Sequence, residues 1–309
     1  MKPELAIWPS LIGILLLSSQ SYATARLQII TTILPLTAHT LSICGDRATV
    51  HQLVPPNVGL HDYHPKPSDL RKLHNADLIF INGIQLEPWI EDYTRSAKKT
   101  ISIIDTSRGI QTLDDHDLAL EGCTHSHADD GGAARHHHHH GPNPHVWLDP
   151  LLAKQQAENI LKALIEKDPD NKSYYQTRAA TYFAQLEKLH KDFQNALAPL
   201  KKKTLLTFHN SFLYFAKRYH IRYLGFVEQL PHQSPSPKRV ARLIEIIRQN
   251  QVQVIFTEVG YPPKLLETLS RETRTRIASL DTIETGKPHP DAYIDAMENN
   301  LRVLKKAWQ

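Results

Sequence analysis

Cysteine is scarce in this chain, since Cys44 and Cys123 are the only two in 309 residues. A small fold stapled by several disulfides is therefore excluded, and so is a zinc site built on paired Cys-x-x-Cys motifs. Cys44 lies in an apolar helical pattern and Cys123 in a polar segment. The two could form one disulfide, or remain a buried and an exposed thiol, and the sequence leaves both possibilities open.

The chain also lacks an apolar run long enough to cross a bilayer, which takes about 20 residues. Its longest apolar run, residues 11–17, follows the positively charged Lys2 and precedes Ala23-Thr24-Ala25. This order is typical of a signal peptide over residues 1–25, cleaved before Arg26. No cysteine follows the run, so we expect a soluble periplasmic protein without a lipid anchor, rather than a chain anchored by its first helix.

The chain also lacks a large excess of positive or negative charge. The formal net charge is +4, and basic and acidic residues alternate along the later helices. No concentrated basic face is present, which excludes a nucleic-acid partner. A hydrophobic content of 41% is typical of a globular protein, and the length suffices for two domains.

Strand and helix patterns alternate in two series, which predicts an α/β fold with parallel sheets. Between the series, a helical apolar spacing runs from about Asp170 to Leu197. A helix of that length spans roughly 40 Å and is suited to joining two lobes. We therefore expect two parallel-sheet α/β lobes joined by one long helix. The expected divisions are a signal peptide at 1–25, a first lobe at 26–169 with a His-rich loop at 114–142, a linking helix at 170–199 and a second lobe at 200–309.

The chain contains 19 histidines. Three of them and one aspartate occupy positions where functional residues of α/β proteins concentrate, mostly just after strands. They are His61, His145, His209 and Asp281. Three imidazoles and one carboxylate suit tetrahedral Zn²⁺. A histidine at a strand end is more often a surface or capping residue, however, and no short motif such as His-Glu-x-x-His is present. The residues alone therefore leave a metal site and a purely structural role about equally supported.

Several segments, in order along the mature chain, resemble the ZnuA/TroA-like solute-binding proteins of zinc and manganese ABC transporters. They are Leu53-Val54-Pro55, His61-Asp62-Tyr63, Pro67-Ser68-Asp69-Leu70, Asn75-Ala76-Asp77-Leu78, Asn82-Gly83, Asn143-Pro144-His145-Val146-Trp147-Leu148-Asp149-Pro150, Phe208-His209-Asn210-Ser211-Phe212, Tyr214-Phe215, Ser236-Pro237-Lys238, Ile255-Phe256-Thr257-Glu258 and Leu280-Asp281. The resemblance implies that the linking helix is rigid and that a metal ion is buried between the lobes. It further implies a monomer without catalytic activity that hands Zn²⁺ to the membrane permease subunits of a zinc transporter.

The resemblance also implies the ligand set. The family's first three ligand positions fall on His61, His145 and His209, and the fourth falls on Asp281. Manganese-binding relatives usually carry a glutamate at the third position. His209 therefore favours zinc, because imidazole is a softer ligand than a carboxylate.

Two further residues fall on family positions near the site. Many relatives have a glutamate where this chain has His64, which we interpret as an auxiliary or surface residue rather than a ligand. Glu258 is expected to accept a hydrogen bond from a ligand imidazole. The fourth ligand remains open among Asp281, His64, Glu258 and water.

The His-rich loop is expected to be a weak, flexible metal-binding arm, similar to an insertion that zinc-specific relatives carry before their second ligand. The alternative, an expression tag, is disfavoured because the histidines lie in mid-chain among acidic residues. Whether transport requires the loop is open. Its histidines are His116, His125, His127, His136, His137, His138, His139 and His140.

Three alternatives to zinc delivery follow from the same residues. A manganese- or iron-binding protein of the same fold would need more oxygen ligands. A zinc hydrolase would need a general base beside a metal-bound water, and no such arrangement is evident. A surface adhesin would need display on the cell surface.

Overall fold

The computed structural model describes residues 26–56, 58–60, 63–96, 102–114, 141–227, 236–259 and 264–309. The predicted signal peptide, the candidate ligand His61 and the loop histidines from 116 to 140 lie outside the described residues. Within the ranges described, no helix is both long and apolar enough to cross a membrane.

The first lobe is a four-stranded parallel sheet with helices beside it. Its strands are β1 (Leu27–Thr31), β2 (Ala48–Gln52), β3 (Leu78–Ile81) and β4 (Ile103–Asp105), and its helices are α1 (Leu34–Cys44), α2 (Pro67–Asn75) and α3 (Trp89–Ser96). The strands lie in the order β2-β1-β3-β4. All four residues of β3 are buried, as expected for a parallel strand covered on both faces.

A buried carboxylate ties the carboxyl ends of β1 and β3 together. Glu87 accepts hydrogen bonds from the Thr32 hydroxyl at 2.5 Å and from the backbone N–H groups of Asn82 and Gly83 at 2.8 and 3.0 Å. Burial raises the pKa of Glu87 to about 7, against the lowering effect of these bonds. The loops that leave this edge of the sheet are thereby held at defined positions.

Two helices lie between β4 of the first lobe and the second lobe, and the longer of them links the lobes. Helix α4 (Pro150–Lys167) begins where the Asp149 side chain accepts a hydrogen bond from Leu151 N at 2.9 Å, an N-cap that fixes its first turn. Helix α5 (Lys172–Leu197) has 26 residues, which corresponds to roughly 40 Å.

The second lobe repeats the strand order of the first. Its strands are β5 (Thr204–Thr207), β6 (Arg222–Phe226), β7 (Val254–Glu258) and β8 (Arg276–Leu280), and its helices are α6 (Leu213–Arg218), α7 (Pro237–Gln249), α8 (Lys264–Thr273) and α9 (Ala292–Trp308). All strands are parallel, in the order β6-β5-β7-β8. The predicted fold class, two parallel-sheet α/β lobes with one long helix between them, is confirmed.

Helices from both lobes pack against each other and against the linking helix. Helix α1 of the first lobe packs against both α5 and α9. The Ser42 hydroxyl donates to the Pro290 carbonyl at 2.7 Å, and Arg178 Nε donates to the Ser42 carbonyl at 3.0 Å. One apolar core runs from Ile29 of the first lobe to Leu304 of the second. The lobes therefore share buried side chains as well as a connecting chain.

One helix of the first lobe was not expected from the sequence. The helix α3 was not predicted, because Ile90 and Tyr93 are its only buried residues and the turn before it places Ile84 and Gln85 at positive φ.

Candidate metal site between the lobes

His145 lies in the first lobe, directly before a short 3-10 turn, Val146–Leu148. Its side chain is only 1% exposed. Asn82 Nδ2 donates to the carbonyl of Pro144 at 3.0 Å, and the ring of Trp147 lies 5.2 Å from the imidazole, centroid to centroid. The hydrogen bond holds the backbone before His145, and the contact with Trp147 supports its imidazole.

His209 comes from the second lobe, two residues after β5 ends. Its carbonyl accepts hydrogen bonds from the Thr207 hydroxyl at 2.7 Å and from Ser211 N at 3.0 Å, and its side chain is buried. The imidazoles of His145 and His209 approach edge to face, with ring centroids 4.9 Å apart. Two buried imidazoles, one from each lobe, therefore meet in the interior.

Glu258 ends β7, next to the loop that carries His209. Its Oε1 accepts from His209 N at 3.2 Å and from the Ser211 hydroxyl at 2.6 Å. Its Oε2 lies 3.9 Å from His209 Nδ1 and has no hydrogen-bond partner within the described part of the chain. Burial raises the pKa of Glu258 to about 7. A carboxylate beside this imidazole favours a positive charge in the same space.

Glu284 is a further acidic residue near the site, and sequence reasoning missed it. Its side chain is buried. Desolvation is the largest cause that raises its pKa to about 8, and the nearby charges of Glu258 and Asp281 raise it further. Its only signal in the sequence is its position three residues after Asp281. A divalent cation nearby would relieve the repulsion among these carboxylates.

Asp281 is half-buried in the loop after β8. Its Oδ1 accepts from Ile283 N at 2.7 Å, and its backbone N–H and carbonyl are both bonded to the Asn300 side chain at 2.7 Å. Across the described ranges, no group of three or more His, Cys, Asp and Glu side chains is arranged to hold a metal ion. The structure thus brings His145 and His209 together, but Asp281 does not complete a three-ligand group with them.

The remaining predicted residues are dispersed. His64 is exposed, whereas the two site histidines are buried. His61 and the histidines of the loop lie outside the described residues, so the structure does not place them.

The residues that follow His145 also bind the second lobe. Trp147 Nε1 donates to the carbonyl of Thr282 at 2.8 Å. Arg218 Nε donates to the buried carboxylate of Asp149 at 2.7 Å. The histidine is therefore positioned against both lobes at once.

A family model described as "Zinc-uptake complex component A periplasmic" matches residues 29–307. The chain belongs to this family. Its members are solute-binding transport proteins rather than enzymes, and the homologues of this chain are substrate-binding proteins of metal ABC transporters. The resemblance inferred from the sequence motifs is confirmed.

Three curated relatives match nearly the whole chain. The high-affinity zinc uptake system protein ZnuA of Bacillus subtilis is 33% identical over 285 residues, covering 91% of this chain and 87% of the relative. The metal ABC transporter substrate-binding lipoprotein SloC of Streptococcus mutans is 30% identical, with coverages of 94% and 93%. The lipoprotein FimA of Streptococcus parasanguinis, of the same description, is 30% identical, with coverages of 92% and 89%.

Solved structures share the fold. A crystal structure of ZnuA superimposes with a TM-score of 0.75 at 28% identity, covering 92% of this chain and 100% of the other. FpvC of Pseudomonas aeruginosa, solved in complex with Ni²⁺, superimposes with a TM-score of 0.77 at 25% identity, with coverages of 92% and 97%. FpvC has also been solved with Mn²⁺. The fold thus accommodates more than one divalent metal.

The relatives correct one prediction. We predicted a soluble periplasmic protein without a lipid anchor from the absence of a cysteine after the apolar run 11–17, and this prediction is wrong, since SloC and FimA are both named lipoproteins. The absence of a cysteine after that run is therefore not a ground for predicting a protein without an anchor.

Proposed function

We propose that this protein captures Zn²⁺ between its lobes and delivers it to the membrane permease subunits of a zinc ABC transporter. The proposal rests on the buried imidazoles of His145 and His209, whose ring centroids are 4.9 Å apart. With both coordinating nitrogens directed at one ion, each centroid would lie about 3.1 Å from it, and the N–Zn–N angle would be roughly 100°, close to tetrahedral.

We propose that His61 supplies a third imidazole and that Asp281 is the fourth ligand. Asp281 would have to approach the histidines more closely, since it forms no three-ligand group with them among the described residues. His64, Glu258 and water are the other candidates for the fourth position. Glu258 is better suited to support His209, because its Oε1 already accepts a hydrogen bond from the His209 backbone.

Zinc is proposed over manganese because two imidazole nitrogens meet at the site, and manganese favours carboxylate, carbonyl and water oxygens. The relative from Bacillus subtilis is named as a zinc uptake protein. A manganese- or nickel-binding protein is the second candidate function. It is favoured by the Ni²⁺ and Mn²⁺ complexes of FpvC and by the carboxylate of Glu258, whose Oε2 lies 3.9 Å from His209 Nδ1.

Competitive titration of the metal-free protein with Zn²⁺, Mn²⁺ and Ni²⁺ tests the proposal. We expect one tight Zn²⁺ site that Mn²⁺ barely contests and that His209→Ala weakens by orders of magnitude. His51→Ala, which removes an exposed histidine of β2, is the matched control and should leave the affinity unchanged. Mn²⁺ or Ni²⁺ binding equal to or tighter than Zn²⁺ would overturn the zinc assignment, and a chain without any tight site would overturn metal capture itself.

We propose that the loop histidines form a second, weaker class of sites that passes Zn²⁺ to the ligands between the lobes. The run of five histidines from 136 to 140, with Asp129 and Asp130 before it, supports this role. Deletion of residues 116–140 should remove weak binding and leave one tight site. Loss of tight binding on deletion would show that the loop contributes to the principal site.

The predicted divisions of the chain are proposed in the same sense. Residues 1–25 act as a signal peptide, and the lobes at 26–169 and 200–309 flank the linking segment 170–199 in a monomer. The mass of the protein recovered from an exporting host gives the cleavage position, and light scattering gives the oligomeric state. An uncleaved chain or a stable dimer would contradict these proposals.

A further inference from the structure

The Asn143 side chain lies between the two loops that carry the site histidines. It is buried, and its Nδ2 donates to the backbone carbonyl of Asn210 at 2.7 Å, directly beside His209. Its Oδ1 accepts from the backbone N–H of His145 at 3.0 Å and lies 3.0 Å from His145 Nδ1. One amide group thus contacts the histidine loops of both lobes.

These contacts fix which way the amide faces. A backbone carbonyl can only accept a hydrogen bond and a backbone N–H can only donate one. The Asn143 NH₂ group must therefore face Asn210, and its oxygen must face His145. Because an amide oxygen only accepts, His145 Nδ1 carries the proton in the neutral ring, and Nε2 carries the lone pair.

We propose that Asn143 is a positioning residue for metal capture: it holds His145 in the tautomer whose Nε2 coordinates the ion, and it fixes the spacing of His145 from His209 across the lobes. The inference rests on the proposed function and deepens it. Metal-binding histidines generally donate their second ring N–H to a fixed acceptor, and loss of that acceptor typically weakens metal affinity about 10–100-fold.

The backbone of Asn143 is itself held by hydrogen bonds, and its side chain therefore acts from a fixed position. Its carbonyl accepts from the Tyr214 hydroxyl at 2.7 Å, and its N–H donates to the Leu113 carbonyl at 2.8 Å. Tyr214 belongs to α6 of the second lobe. The histidine loops are therefore arranged by groups that need not move when the ion arrives, and such preorganisation increases affinity.

The first test is the tautomer of His145 in the metal-free wild-type protein, read above neutral pH from long-range ¹H–¹⁵N spectra of the imidazole. A His145→Gln spectrum assigns the signals. We expect protonation at Nδ1. Protonation at Nε2 would overturn the inference without any variant at Asn143.

The second test compares Zn²⁺ affinity and tautomer in variants. Asn143→Ala should populate the other tautomer and weaken Zn²⁺ binding about 10–100-fold. Asn143→Asp should keep the wild-type tautomer, because a carboxylate still accepts from Nδ1–H, and should bind Zn²⁺ more tightly than the Ala variant. Asn159→Ala is the matched control, since Asn159 also donates to backbone carbonyls, at 2.8 and 3.0 Å, but away from the histidines. Its affinity should stay within about twofold of wild type, even though the lost hydrogen bonds lower the stability of the fold.

Different results would contradict the positioning role of Asn143 and the capture of zinc. If Asn143→Ala keeps both the tautomer and the affinity of the wild type, the positioning role is wrong while zinc capture stands. If the wild type itself has no tight Zn²⁺ site, the proposed function fails whatever the variants do.

Discussion

His39 gives a pH-dependent stability that can be calculated from its surroundings. Its side chain is completely buried in α1, where this helix meets α5 and α9. Its Nδ1 and the Tyr182 hydroxyl are hydrogen-bonded at 2.7 Å, and its ring packs on Tyr293 with centroids 4.9 Å apart. Its Nε2 has no hydrogen-bond partner among the residues described. Burial lowers the pKa of His39 from 6.5 to about 3.

The direction in which stability changes with pH follows from proton binding. Between pH 6.5 and about 3 the unfolded chain binds a proton at this histidine and the folded chain does not. The free energy of unfolding is therefore highest above pH 6.5 and falls as the pH falls toward 3. At about 1.4 kcal/mol per pKa unit, His39 removes about 2 kcal/mol between pH 7 and pH 5, and about 5 kcal/mol is the upper limit of the loss.

The substitution His39→Phe keeps an aromatic ring in place and removes the titration. Urea unfolding of wild type and variant, both with a chelator present, gives the free energies at pH 7 and pH 5 without metal stabilisation. From pH 7 to pH 5, the free energy of unfolding of the wild type should fall by about 2 kcal/mol more than that of the variant. Tyr182→Phe, which removes the hydroxyl but keeps the imidazole, should follow the wild-type pH dependence. Parallel curves for wild type and His39→Phe would refute the reasoning.

Two further predictions concern the carboxyl ends of the strands. Burial beside Glu258 raises the pKa of Glu284 to about 8, so the folded chain retains a proton that the unfolded chain loses above pH 4.5. Stability should therefore fall between pH 5 and pH 8 by up to about 3 kcal/mol more in wild type than in Glu284→Gln, measured by chelator-treated urea unfolding. Equal slopes would show that Glu284 titrates normally. Gly83 has φ +81°, and a Cβ there would overlap with Asp105 Oδ1. Gly83→Ala should therefore lower stability by about 2–4 kcal/mol in thermal unfolding. The loss should exceed that of Gly109→Ala, because Gly109 shares the positive φ without that overlap. Similar losses in both variants would contradict the steric explanation.

Secondary structure was predictable where local signals act alone. Helix α4 (Pro150–Lys167) is such a case, because Asp149 caps its first turn and proline is favoured at its first position. Helix α3 was missed because its place is set by the turn at Ile84 and Gln85, whose positive φ values have no signature in those residue types.

The candidate site was predictable only in part. The family resemblance implied that His145 and His209 meet between the lobes, and the gathering of functional loops at the carboxyl ends of parallel strands supported this expectation. The bridging amide of Asn143 and the buried carboxyl of Glu284 depend on how distant segments pack. No local pattern reveals which polar side chains such packing will bury.

The central claim is that one Zn²⁺ is held by histidines from both lobes. A crystal structure of the 1:1 zinc complex, with anomalous data collected on both sides of the zinc edge, tests it most directly. We expect a single strong zinc peak between the lobes, about 2.0–2.1 Å from the Nε2 atoms of both His145 and His209. A peak bound by one of these histidines alone, or only by the His-rich loop, would contradict it.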